Sequence, residues 1–182
     1  MMKKAILMIF VLIMVVSVVS CGGKDYQVII GLVTESNESG GFRVEVLDGF
    51  AEDLMQVHVD DKVKYEDGVV RADIKPGVVV SFTIGDEVME SYPVQVNAKK
   101  ILWTENVITA KILSAGEDAA LVMIEDGYTP GMMQVWIEEE TVFHRNIPKV
   151  MEKQKTVKFT IKDEVLESEP VQGFAIRFVS YE

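Results

Sequence analysis

FTIGDEVMESYPVQ (Phe82–Gln95) returns later in the chain as FTIKDEVLESEPVQ (Phe159–Gln172), with eleven of fourteen positions identical. Chance does not produce such a run, so the chain contains a duplication. Working outward at an offset of 77 to 79, Val28-Ile29 pairs with Val107-Ile108, Asp48-Gly49-Phe50 with Asp126-Gly127-Tyr128, and Met55-Gln56-Val57 with Met133-Gln134-Val135. A period of that length exceeds the roughly 20–50 residues of a solenoid repeat, which makes each copy a small domain.

Within a copy the hydropathy pattern is that of strands. Val78, Val80, Phe82 and Ile84 alternate with Val79, Ser81 and Thr83, and Val157, Phe159 and Ile161 alternate with Lys158 and Thr160. Period two in β-branched and aromatic residues predicts half-buried strands. Strands are expected near 26–34, 42–47, 54–59, 78–84 and 93–103, with echoes near 106–113, 119–125, 132–137, 156–162 and 171–180. The turns Asn37–Gly41 and Ala115–Asp118 separate the first two strands of each copy. The stretches 60–77 and 138–155 are the least regular, with room for a short helix each. Three strands, a variable connector and two more strands is the order of an OB (oligonucleotide/oligosaccharide-binding) barrel. The expected class is all-β: tandem five-stranded OB-like barrels over 24–103 and 105–182, packed together through a short linker at Trp103-Thr104-Glu105. SH3-like barrels or one larger β-sandwich are the alternatives.

The N-terminus supplies an address. Lys3 and Lys4 precede an apolar run over Ala5–Val19, too short for the roughly 20 residues of a membrane span and suited to a signal peptide over residues 1–20. Val18-Val19-Ser20-Cys21 resembles the lipobox of bacterial lipoproteins, in which the cysteine becomes the lipidated first residue of the mature chain. Cys21 is the only cysteine, which leaves no thiol for a disulfide, a metal or catalysis. The resemblance implies a chain tethered to the membrane through Cys21, on the outer face of the cytoplasmic membrane. An uncleaved membrane anchor is the alternative.

Formal net charge is −11, and −13 without Met1–Ser20, which hold two lysines and no acids. Such a surface repels nucleic acid, and no basic stripe with interleaved aromatics offsets it.

The phrase IGDEVMESYPVQVNAKKI resembles the C-terminal hairpin of the YobA-like domain, a family of unknown function in Gram-positive lipoproteins. The residues that carry this are Asp86, Val88, Glu90, Ser91, Tyr92, Pro93, Gln95, Ala98, Lys99 and Lys100. In the second copy Glu169 stands for Tyr92, and Ile176 and Arg177 for the two lysines. The resemblance implies a β-rich domain on a Gram-positive surface and brings no activity with it.

Two explanations fit the polar letters of the repeated phrase. Either Ser91 and Pro93 build the turn while Glu90 and Gln95 bond across it, or the hairpin between strands 4 and 5 flanks a binding face, as in OB folds. Glu90, Ser91, Gln95, Glu167, Ser168 and Gln172 are therefore the candidate binding residues. Residues 60–77 share almost no identity with 138–155, so the phrase was retained selectively.

Other chemistry is weaker. His58 aligns with Trp136, and His144 falls opposite Glu66, so the two histidines form no repeated site. Met132-Met133 with Trp136 and His144 offers soft-metal ligands, although strand packing accounts for the methionines. Asp60-Asp61 and Glu138-Glu139 recur after the third strand, where carboxylates suit calcium, without EF-hand spacing. No G-x-S-x-G, P-loop, H-E-x-x-H or cysteine nucleophile is present. The expected function is a non-catalytic binding or adaptor module without a cofactor, engaging a protein or envelope polymer. A purely structural duplication and a weak calcium module are the alternatives.

Overall fold

The computed structural model describes residues 26–66, 68–144 and 147–182. The expected signal peptide over 1–20 and Cys21 lie outside the described residues.

The first copy contains β1 (Gln27–Ser36), β2 (Phe42–Asp48), β3 (Leu54–His58), β4 (Lys64–Tyr65), β5 (Val78–Met89) and β6 (Val94–Asn106). Strand β1 pairs antiparallel with both β2 and β5, β2 with β3, and β5 with β6. The ring closes where β3 runs parallel to β6, Met55 opposite Val94 and Val57 opposite Val96. This is a five-stranded Greek-key barrel of the OB type, with the two-residue β4 added to β6. The second copy repeats it with β7 (Ile108–Ala115), β8 (Ala119–Asp126), β9 (Gly131–Trp136), β10 (Val142–Phe143), β11 (Thr156–Ile161) and β12 (Val171–Tyr181). Its ring likewise closes by a parallel pair, β9 with β12. Closure removes the unpaired edges that an open sheet would expose.

Alternation decides what fills each barrel. Val44, Val46, Met55, Val57, Phe82, Ile84, Val96 and Ile101 point into the first, where Phe42 and Phe82 meet edge to face at 5.6 Å. The second holds the equivalent Val122, Ile124, Met133, Val135, Phe159 and Phe178.

The connectors contain no α-helix among the described residues. They hold β4, β10 and one 3-10 turn over Arg71–Asp73. Gly68, Pro76 and Gly77 punctuate the first connector too closely for a stable helix.

The expected linker is not a linker. Trp103, Thr104 and Glu105 belong to β6, where Glu105 pairs with Val79 and Trp103 with Ser81. Only Val107 separates β6 from β7. A third apolar cluster of Leu32, Val79, Val107 and Val179 lies between the barrels, flanked by Ile30, Leu47 and Trp103. This explains why Val79, on the outward phase of β5, is fully buried: the second barrel covers what would otherwise be a solvent face. Across the same junction the Arg177 guanidinium forms a bidentate pair with Glu105 at 2.8 and 3.1 Å, and Thr160 Oγ1 donates to the same carboxylate at 2.7 Å. Arg177 also stacks 4.8 Å above the Trp103 ring.

Candidate functional site

The repeated hairpins have one internal wiring, used twice. Pro93 and Pro170 each follow a cis peptide bond, the arrangement of a type VI turn. Ser91 Oγ donates to the Pro93 carbonyl at 2.7 Å, and Gln95 Nε2 donates back to Ser91 Oγ at 3.3 Å. In the second copy Ser168 Oγ donates to the Pro170 carbonyl at 2.6 Å, and Gln172 Nε2 to Ser168 Oγ at 3.0 Å. The free face of each glutamine is then met from the third strand. Trp136 Nε1 donates to Gln172 Oε1 at 2.9 Å, and His58 Nε2 lies 3.0 Å from Gln95 Oε1. A ring nitrogen at the end of the third strand thus meets the turn glutamine in both copies, donating from Trp136 and, in the Nε2–H tautomer, from His58. This role makes the two residues equivalent despite their chemistry.

The structure brings Ser91 with Gln95, and Ser168 with Gln172. The glutamines are half-buried, and Glu90 and Glu167 are exposed beside them. Gln95 bonds to Ser91 and His58 rather than across the hairpin to Glu90.

The soft-metal set does not converge. Met133 is buried in the barrel core, whereas Met132 and Trp136 point outward, because neighbouring strand positions face opposite ways. Among the described residues no three His, Cys, Asp or Glu side chains are grouped to hold a metal ion. In the calcium-candidate loops, Asp60 Oδ1 accepts the Lys62 backbone N–H at 2.8 Å, and Glu138 binds the Lys162 ammonium at 2.5 Å. That hydrogen bond, the largest influence on the amine, holds the Lys162 pKa above its ordinary value. Grooves of about 730 and 740 Å³ flank the junction. Glu105 and Lys162 line the first of them, and both are already paired.

The surface that separates the copies was not legible in either hairpin alone. On the outside of the second barrel, register sets Met123 beside Met132, and Leu121 beside Gln134. Gln134 in turn lies beside Gln172, and Trp136 beside Phe174. Leu166 completes the row by pairing with Gln172. Met132 and Leu166 are each 51% exposed, Met123 39% and Trp136 37%. This is a continuous apolar face across β8, β9 and β12, held around the two glutamines.

The equivalent face of the first barrel keeps Leu54 and Met89 in the places of Met132 and Leu166 but is polar at four other positions. Arg43 stands where Leu121 does, Glu45 for Met123, His58 for Trp136 and Asn97 for Phe174. Gln56 and Gln95 match the two retained glutamines, and Arg43 is occupied by Glu35 at 2.9 Å. The signal was present in the sequence at outward strand positions, where a polar residue in one copy faces an apolar one in the other. It emerges only once the register says which positions face outward.

No protein-family model matches the chain, and neither does any curated protein sequence. Among solved structures, the crystal structure of the tetrameric p202 HIN2 aligns over 88% of this chain and 94% of that chain, at 11% sequence identity and a TM-score of 0.27. That superposition is too loose to carry an argument, and the OB assignment rests on the strand order and the parallel closing pairs.

Proposed function

We propose that the protein is a lipid-anchored extracytoplasmic binding or adaptor module without catalytic activity, and that its second barrel carries the contact surface. The carrying observation is the divergence of one outward face between the copies. Four polar positions on the first barrel are apolar on the second, while the turn-building Ser, Pro and Gln are the same in both. Exposing Met, Trp, Phe and Leu together costs solubility, and contiguous apolar patches rimmed by polar groups mark interaction sites. The face spans the second and third strands and borders the hairpin between the fourth and fifth, the part of an OB barrel that suits ligands. The signal sequence and the lipobox-like Val18–Cys21 support the extracytoplasmic tether. The resemblance to YobA-like hairpins supports a Gram-positive surface.

The test is photo-crosslinking in intact cells, with the reactive side chain at position 132 and controls at 45 and 64. A discrete adduct from position 132 and not from the controls is expected, and in the same cells Cys21→Ser should move the chain into the soluble fraction. Identical silence at all three positions in folded protein overturns the binding reading. Unchanged membrane retention of the Cys21→Ser chain overturns the lipid anchor.

A further inference from the structure

Charge is distributed unevenly around the second barrel. Residues 117–140 and 162–172, which form the β8–β9 hairpin with its flanking turns and the loop into β12, hold eleven acidic side chains and one basic, Lys162. The rest of that copy, 105–116, 141–161 and 173–182, holds three acidic and seven basic ones. The acidic segments are those that carry and surround the apolar face. Glu125 is on the outward phase of β8 next to Met123, Glu167 adjoins Leu166, and both are exposed. The one cation within these segments adds little positive field, because Lys162 is held by Glu138 at 2.5 Å with Glu140 at 3.9 Å. Outside them, Lys111 of β7, the register partner of Met123, is the one basic residue that borders the face directly.

Resting on the binding reading above, we infer that the occupant of the β8–β9–β12 face is a basic protein segment with bulky apolar anchors. An apolar face with a predominantly acidic surround selects its complement. The anchors would sit over Met123, Met132 and Trp136, and lysines or arginines would meet the carboxylates around them. Methionine suits such a surface because its unbranched, polarizable side chain adapts to differently shaped anchors. Trp136 is a fixed platform instead, its indole N–H tied to Gln172, and buried tryptophans dominate binding at interfaces. The same rim argues against the other occupants. Two copies of this face, each strongly negative, repel one another, and so does a face set against anionic lipid. Steering by complementary charge also makes association fast and sensitive to salt.

The experiment uses residues 21–182 with Cys21→Ser, which retains every described residue and so both closed barrels and their junction. The probe is a dye-labelled amphipathic peptide of lysine and leucine, compared with its glutamate–leucine counterpart by fluorescence anisotropy. Binding of the lysine peptide alone is expected, weakening as salt rises toward a Debye length of about 8 Å and below. The deciding variant is Met123→Glu/Met132→Glu. Adsorption of a cation to an acidic surface would tighten with two added carboxylates, whereas docking on an apolar centre should weaken by at least about tenfold. Glu125→Gln/Glu167→Gln, which leaves the apolar centre untouched, should weaken binding and flatten its salt dependence.

Tighter or unchanged binding by the methionine variant overturns the inference, as does equal binding of the glutamate peptide. So does flotation of the protein with phosphatidylcholine–phosphatidylglycerol vesicles, or a dimer in sedimentation that the same variant abolishes. Any of these alongside a discrete adduct from position 132 in cells would leave the binding reading standing with a different occupant. Loss of the adduct removes the reading itself.

Discussion

Ser91 and Ser168 do the same small piece of work, each donating to a proline carbonyl and accepting from a glutamine amide. Ser91→Ala and Ser168→Ala should each lower the unfolding free energy by about 1 kcal/mol, the usual net value of such a bond. Glu90→Ala, at an exposed carboxylate, should stay within about 0.5 kcal/mol. Denaturant titration of the three variants measures this, and equal losses at all three would remove the turn account. That account was legible before the structure as one of two options, because Ser, Pro and Gln at this spacing have known local uses. What sequence could not supply was the third member, the ring on the adjacent strand. Alignment places His58 opposite Trp136, but the two are chemically unlike, and only the geometry shows that each meets the turn glutamine with a ring nitrogen.

Among the elements, the strands were the most readable feature, since the barrels' inward rows are built of Val, Ile, Phe, Met and Ala, largely at period two. The ends were less so. Strand β6 continues through Asn106 because the second barrel gives its last residues something to pack against, and no local pattern announces a long-range partner. The Asp-Gly pairs at 48–49 and 126–127 were visible only as repeated letters. Each glycine has φ above +80° (+86° at Gly49, +82° at Gly127), and a Cβ built there would come within 2.1 Å of the Val28 or Val107 carbonyl oxygen. Gly49→Ala and Gly127→Ala combine a left-handed backbone with a collision. Each should cost about 2 kcal/mol or more, read as a lowered midpoint in thermal unfolding. Alanine at Gly68, which also has positive φ but meets nothing within 4 Å, should cost less than either.

For the whole molecule, the junction decides whether two barrels behave as two bodies or as one. Its polar centre is Glu105, gripped by Arg177 and Thr160 on the other barrel, with side chains only 19% and 9% exposed for Glu105 and Arg177. Removing one partner of a buried pair strands the other charge, at a cost of about 3 kcal/mol. Glu105→Ala should therefore do more than destabilise. Calorimetry of the parent chain should give one transition, and the variant should separate into two as the barrels uncouple. A single unshifted transition in Glu105→Ala would mean that the apolar cluster around Val79 and Val107 alone holds the barrels together.

One residue between β6 and β7 also leaves no swivel. A tandem protein on a slack linker lets its outer module sweep a cone, sampling partners at many angles and shedding any pull through the linker. Here a force applied at Met132 passes through Val107 into the strand paired with β5, and from there across the sheet to β1, where the chain enters the first barrel. Whatever seats on the far barrel is held at one bearing to that entry point, and a tug on it is felt there as torque.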